Sequence, residues 1–388
     1  MTINLPASNP PLHSLGSDAA RLRVVVAGDM WNGSTPLACA RGFRAWGHSV
    51  AELNPTDAIP PWRSRALRAL LRVLDPLLVG EYNAGVVRLC EEFRPHLFFT
   101  VKGLYLTVGT LEKLKLLQIP LYNYYPDVLG DVTHHHLLRE TMTFYDCVFL
   151  TKKFQIQDAA KWSVRNCRYI PHGYSPDVHR PMCIPGTERR RRGAPVVYTA
   201  NHTKYKEDLL AQLIDRLPSV QMRIYGNGWL QRCRSSKLKP FIQGWAPTGD
   251  EYSCVLQCGD INLGIMIGPV PGARQGDETT TRTFEIPACK SFMLHERTPE
   301  LATFFEEGSE VACFQSPQEL ADQISFFLAH PELRSQIAEA GYKRCVPAYS
   351  YEARVKQMLE YHLASPKDKL NGELHLPDDP QSVTGRNF

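Results

Sequence analysis

The densest run of reactive side chains in this 388-residue sequence is Gly276-Asp277-Glu278-Thr279-Thr280-Thr281-Arg282-Thr283-Phe284-Glu285. It joins an acidic pair, a row of hydroxyls, an arginine and the start of a helical stretch. A cation beside free helix N–H groups can neutralise a departing diphosphate, while a carboxylate can grip ribose or sugar hydroxyls. A polar loop leading into a capped helix has the same composition, so residue type leaves both readings open.

Three further clusters follow hydrophobic runs that read as strands. Asn201-His202-Thr203-Lys204-Tyr205-Lys206 offers Lys204 or Lys206 to a diphosphate, although a lysine at a helix start is often only solvated. Gly226-Asn227-Gly228 brings two glycines to a strand end, which fits close approach of a ligand or a simple turn. Gly28-Asp29-Met30-Trp31-Asn32-Gly33-Ser34-Thr35 precedes a helix whose free N–H groups suit an anion or a sugar hydroxyl, or it serves only as a turn. His172, in Ile170-Pro171-His172-Gly173, lies where the two halves of the chain meet and has a catalytic and a structural reading.

Several chemistries lack their signatures. There is no G-x-G-x-x-G, Walker, HExxH, CxxC or G-x-S-x-G pattern. His134-His135-His136 would diverge around a helix, so no metal site is expected.

The elements that must position these groups alternate. Strands are expected at 22–27, 48–53, 96–101, 119–122, 147–150 and 167–170, with helices at 36–46, 82–92, 109–117 and 154–162. Trp62 to Leu78, carrying Arg63, Arg65, Arg68 and Arg72, reads as an amphipathic helix packed on a sheet, with a bilayer surface as the alternative. Residues 171–194 lack periodicity and read as a linker, in which Arg189 to Arg192 form a solvated loop or touch phosphates or an anionic membrane surface. The pattern then restarts. Strands are expected at 195–200, 220–225, 241–242, 261–267, 291–294 and 311–314, and helices at 204–217, 250–257, 284–289, 331–345 and 349–362. Thr298-Pro299 and Ser316-Pro317-Gln318-Glu319 each carry the signature of a helix start.

The expected plan is a flexible lead (1–20), a domain at 21–170, the linker, a domain at 195–362 and a tail at 363–388. Both domains are α/β with mostly parallel sheets, which bind ligands beyond the C-terminal ends of strands. With 44 Lys plus Arg against 40 Asp plus Glu, the charge of +4 implies no nucleic-acid partner. The 11 scattered Cys fit reduced thiols in a cytoplasmic protein. No apolar run approaches the roughly 20 residues of a membrane span, and the lead lacks a signal peptide's basic region. Peripheral membrane contact is left open.

Across 281–357 the sequence resembles the CgeB-like (spore maturation protein) branch of glycosyltransferases with the GT-B fold, related to retaining family 4. The resemblance is carried by Arg282-Thr283-Phe284-Glu285-Ile286-Pro287-Ala288-Cys289, Glu296-Arg297-Thr298-Pro299-Glu300-Leu301, Phe304-Phe305-Glu306, Ser316-Pro317-Gln318-Glu319-Leu320 and Ala338-Glu339-Ala340-Gly341-Tyr342. Gly47-His48-Ser49-Val50 and Pro171-His172-Gly173-Tyr174-Ser175-Pro176-Asp177 agree more weakly. It implies two Rossmann-like domains facing across a cleft, the first on the acceptor side and the second binding the donor. The implied reaction moves a hexosyl or related group from a nucleoside-diphosphate sugar to an acceptor hydroxyl, with retention. The acceptor is open among small molecules, glycans and proteins. No cofactor is required, and a divalent metal is optional.

Residue by residue, Glu285 matches the second acid of the family's paired-glutamate motif, which is implied to hold the donor ribose. Counting back over the intervening residues lands on Asp277, so the sugar-contacting acid is Asp277 or its neighbour Glu278; these and His172 are the catalytic candidates. The donor-binding candidates are Glu285, Arg282, Thr283, Lys204, Lys206, Gly226 and Gly228, and the acceptor-side loop takes Gly33, Ser34 and Asp127. Lys290 stands where relatives usually have Gly. The rival readings are a nonenzymatic sugar-nucleotide or glycan-binding protein and a nucleotide-sugar epimerase.

Overall fold

The structure is a computed structural model that describes residues 21–59, 65–130 and 136–364. The expected lead, Trp62 and Arg63, His134 and His135, and the tail beyond Ala364 lie outside the described residues. Two compact units emerge: Met1–Pro171 with Pro271–Arg274 and Arg354–Glu360, and His172–Val270 with Gln275–Ala353 and Tyr361–Phe388.

The first unit runs β1 (Arg23–Ala27), α1 (Thr35–Ala45), β2 (Ser49–Leu53), α2 (Arg65–Phe93), β3 (Leu97–Val101), α3 (Val108–Leu116), β4 (Leu121–Tyr125), α4 (His136–Thr141), β5 (Cys147–Leu150), α5 (Gln155–Asp158) and β6 (Cys167–Tyr169). Its six strands lie in the order β2-β1-β3-β4-β5-β6, and every neighbouring pair is parallel. Val24, Val25 and Val26 are fully buried, as a β-branched run in a sheet covered on both faces must be. The chain goes from β1 out to β2 and returns to β3 on the other side, so the order reverses between β1 and β3. A crevice opens at such a reversal, beyond the strand ends.

Two expectations are corrected in this unit. The helices expected at 62–78 and 82–92 are one 29-residue helix, α2, with Pro76 inside it. Proline removes one N–H donor, and the stripe Val79, Tyr82, Val86 and Cys90 is buried along the helix beyond it, so packing carries the helix on. β4 extends to Tyr125 because Asn123, polar in sequence, is buried and donates to Lys102 O at 3.1 Å.

The second unit runs α6 (Gly186–Arg192), β7 (Ala194–Thr199), α7 (Lys204–Arg216), β8 (Met222–Tyr225), α8 (Trp229–Arg232), α9 (Gly249–Cys258), β9 (Gly259–Gly264), α10 (Thr281–Ala288), β10 (Met293–Glu296), β11 (Ala312–Phe314), α11 (Pro317–Ala329) and α12 (Pro331–Cys345), and α13 (Tyr351–Leu363) follows. Its five strands are parallel in the order β11-β10-β9-β7-β8, with the reversal between β7 and β9.

Here the linker expectation gives way to a helix. Arg189 to Arg192 form the last turn of α6, where cations complement the helix dipole. Glu188 accepts from Arg191 at 2.7 Å and from Arg192 at 2.8 Å, and Arg192 also reaches Glu251 at 2.6 Å. The solvated loop is therefore an ion-paired helix end. Thr298-Pro299 starts no α-helix, only a 3-10 turn at Leu301–Thr303. The Thr298 hydroxyl accepts from Leu301 N at 3.2 Å and donates to Glu278 O at 2.7 Å, so it fastens the loop of interest. In place of the strand expected at Phe241 and Ile242, Phe241 ends a 3-10 turn and Ile242 makes a single bridge to Ile224.

Candidate functional site

Two cations, Lys206 buried and Arg282 half-buried, converge at the β7/β9 reversal of the second unit. Lys206, in the first turn of α7, is 3% exposed and donates from Nζ to the carbonyl of Asn201, just past β7, at 3.2 Å. Arg282, in the first turn of α10, donates from Nη2 to the carbonyl of Ile265, just past β9, at 3.4 Å. Their charges interact. Burial first, then Arg282, push the Lys206 ammonium down to about 7, while Asp277 pulls it back up. The enclosed Arg282 Nε–H has no acceptor among the described residues. Buried donors normally find acceptors, so an unmatched guanidinium N–H beside a buried ammonium suits an anionic group with several oxygens.

Glu285 sits one turn further along α10 and is 8% exposed. Tyr252 on α9 donates its hydroxyl to Glu285 Oε2 at 2.7 Å, and burial followed by the Glu285 charge raises that phenol well above its ordinary range. His179 Nε2 stands 3.8 Å from Glu285 Oε1. Burial lowers the imidazole pKa and Glu285 opposes that, so the pair is a neutral ring beside a carboxylate. Tyr252 and His179 carry no signal in the sequence, because each lies on a different element far from Glu285.

Thr283 is fully enclosed and serves the helix itself. Its Oγ1 accepts from Thr280 N at 3.0 Å and lies 2.9 Å from His295 Nε2. Burial lowers His295 to about 4, and its Nδ1 faces the Glu296 carbonyl at 2.7 Å. A carbonyl can only accept, so Nδ1 carries the proton and Nε2 accepts from Thr283. The network fixes the start of α10 and engages the Thr283 hydroxyl within the protein.

The remaining candidates separate. Lys204 is exposed and pairs with Asp208 one turn on. Glu278 accepts from Gln275 at 2.7 Å through its side chain. Gly226 has φ +140°, and a Cβ there would overlap the Ala200 carbonyl, so the backbone requires glycine. Gly228, at φ +84°, starts α8, whose Trp229 indole donates to Ala200 O at 2.7 Å. His172 is buried at the first position of the second unit. Lys290 has φ +56°, a left-handed conformation that explains the glycine expected there. It follows the C-terminal end of α10, and its ammonium pairs with Glu339 on α12, away from Arg282.

In the first unit a cavity of about 160 Å³ opens at the β1/β3 reversal, bordered by Gly28, Asp29, Trp31, Ser34, Lys102 and Tyr105 among others. Asp29 is exposed and Trp31 half-exposed at 52%. The Ser34 hydroxyl caps α1 by accepting from Leu37 N at 3.4 Å, and Gly33 takes φ +98° in the turn before it. Asp127, outside the cavity lining, pairs at 2.7 Å with Lys102, which borders it. Among the described residues no group of three or more His, Cys, Asp or Glu could hold a metal ion. No described helix is long and apolar enough to cross a membrane.

The family described as glycosyl transferase-like matches residues 196–360. The spore protein CgeB of Bacillus subtilis (strain 168) is 31% identical over 83 residues, which is 21% of this chain and 25% of that one. The chain thus spans about a quarter of the curated relative it matches. A glycosyltransferase from Rickettsia africae ESF-5 is similar in structure, with a TM-score of 0.60 at 12% identity over 91% of this chain and 99% of that one. HepE from Anabaena, solved with UDP and glucose, gives 0.57 at 13% identity over 88% and 99%. A putative UDP-N-acetylglucosamine 2-epimerase from Listeria monocytogenes gives 0.50 at 10% identity over 91% and 98%. The fold is GT-B: two Rossmann-like units, each with a parallel sheet flanked by helices.

Proposed function

We propose that this chain is a glycosyltransferase of the CgeB-like kind that moves a sugar from a nucleoside-diphosphate sugar to an acceptor hydroxyl. The observation that carries the reading is the pair Lys206 and Arg282 at the β7/β9 reversal, where the enclosed Arg282 Nε–H has no acceptor among the described residues beside the buried Lys206 ammonium. A diphosphate supplies acceptor oxygens and negative charge to both groups. As it leaves, its growing charge strengthens both contacts, which is what lowers a barrier. HepE, a structure of this fold solved with UDP and with UDP-glucose, supports the choice of donor class.

In this reading Arg282 and Lys206 hold the diphosphate, Gly226 and Gly228 let backbone approach it, and Glu285, steadied by Tyr252, accepts from the ribose hydroxyls. Lys204 guides the charged donor from the surface. Asp277 or Glu278 contacts the sugar, and His172 acts beside the reacting centre. Thr283 is a positioning residue that fixes the start of α10. Residues 21–170 form the acceptor-side domain and 195–362 the donor domain. Ser34, after the turn at Gly33, borders the acceptor cavity, Asp127 acts through its pair with the bordering Lys102, and Trp31 offers a flat apolar face to a hydroxylated acceptor. Retention of configuration follows the family resemblance, with the leaving phosphate taking the acceptor proton, and the protein works in the cytoplasm.

The test is incubation with a panel of UDP- and GDP-sugars without acceptor. Slow hydrolysis of one donor to free sugar and nucleoside diphosphate is the expected result. Binding without turnover, across donors and acceptors alike, would leave a sugar-nucleotide-binding protein. An isomerised sugar nucleotide would identify an epimerase.

A further inference from the structure

We propose that the second unit has another ligand site, for a phosphorylated small molecule, at the opposite end of its sheet from Lys206 and Arg282. A cavity of about 370 Å³ lies where β9 and β10 begin, bordered by residues of α6, α12 and the segment between α10 and β10. That volume falls within the roughly 300–1,000 Å³ of small-molecule sites. Donor binding uses the C-terminal ends of β7 and β9, so the two sites do not overlap.

The chemistry of the walls selects the ligand. Arg189, Lys290 and Arg334 border the cavity against one carboxylate, Asp260. Lys290 is neutralised by Glu339, and Arg334 stands 3.6 Å from Asp260 while also donating to the Phe327 carbonyl. Arg189 has no carboxylate partner among the described residues and is an exposed residue of the cavity's border. Ser291 also borders the cavity. It is 7% exposed, and its hydroxyl oxygen has no hydrogen-bond partner among the described residues. A buried hydroxyl is normally satisfied, and rotation about χ1 gives this one a second staggered position. Two planar guanidinium groups, one unpaired, beside a serine hydroxyl present N–H and O–H donors that suit the several oxygens of a tetrahedral phosphate. Asp260 then faces the hydroxylated part of the molecule, because a carboxylate accepts from hydroxyls and repels a second phosphate.

The test is calorimetric titration of the full chain with glucose 6-phosphate, and with inorganic phosphate as the minimal probe, at constant ionic strength. It is run in an Arg282→Ala background so that the diphosphate site contributes little. Binding is expected to persist there and to weaken by about tenfold or more in Arg189→Glu, the loss expected for a charge-assisted hydrogen bond. Arg189 is exposed at a helix end, so that variant should fold; Arg189→Ala, which removes the charge without reversing it, should lose several-fold. Tighter binding of the sugar phosphate than of inorganic phosphate assigns a role to Asp260. The proposal is overturned if Arg282→Ala abolishes all phosphate binding, if Arg189→Glu leaves it unchanged, or if no binding is seen up to about 10 mM, equivalent to a few kcal/mol at most.

Discussion

Binding of a nucleoside diphosphate should draw a proton onto the protein, because Lys206 is held near neutrality only while no phosphate lies against it. Burial, then Arg282, bring its pKa to about 7 from 10.5. At pH 8 a group with that value is neutral in roughly 0.9 of molecules, at pH 7 in about 0.5 and at pH 6 in about 0.1. A bound diphosphate supplies the counter-charge that favours the ammonium, so the complex is protonated throughout this range. UDP titration in buffers of different ionisation enthalpy should therefore show uptake of close to one proton at pH 8, where the phosphate's own ionisation, near 6, is complete. Affinity should fall by about tenfold per pH unit above 7, since each molecule must first be protonated. Lys206→Met should abolish the uptake and flatten the profile. No uptake at pH 8, or the same uptake in Lys206→Met, would refute the argument. The free protein supplies an independent check on the sign. The folded-state value lies below the unfolded one, so the unfolded chain binds more protons between pH 7 and 10.5, and stability from this group rises with pH across that window.

Glu285→Ala should weaken UDP binding by about ten- to a hundredfold, the cost of a charged hydrogen bond, with an unchanged circular dichroism spectrum; equal affinity by calorimetry would remove the ribose assignment. Gly226→Ala should destabilise by about 2 kcal/mol or more in denaturant titration, since its Cβ overlaps the Ala200 carbonyl and its φ is +140°. Lys290→Gly relieves a left-handed residue but frees the unfolded chain and loses the Glu339 pair, so stability should change by less than about 1 kcal/mol. Its donor affinity should match wild type, and a large loss would mean that the end of α10 reaches the donor.

Much of the architecture is legible because local sequence and burial agree. Val24 to Val26 can only be an inner strand, and Ser316-Pro317 marks the start of α11, where Ser316 Oγ accepts from Glu319 N at 3.1 Å. Expectations fail where a tertiary partner overrides the local signal. Pro76 does not end α2, because the stripe beyond it packs. The arginine run is a helix end held by Glu188 and Glu251, the latter from a separate helix. Thr298 spends its hydroxyl on the Glu278 loop as well as on a turn.

The sequence by itself determines that lysines, an arginine and acids follow the strands of the second half, because strand ends, glycines and helix caps are written in short windows. It cannot choose between Lys204 and Lys206. Two positions apart on a helix are turned by roughly 200°, so when one enters the sheet crevice the other faces water. Only the packing of α7 against the sheet decides which, and it buries Lys206 beside Arg282 while Lys204 pairs with Asp208 at the surface. The same holds for Glu285. Its place on α10 is readable, but Tyr252 and His179 come to it from elements separated by dozens of residues, and only the folded sheet brings them together.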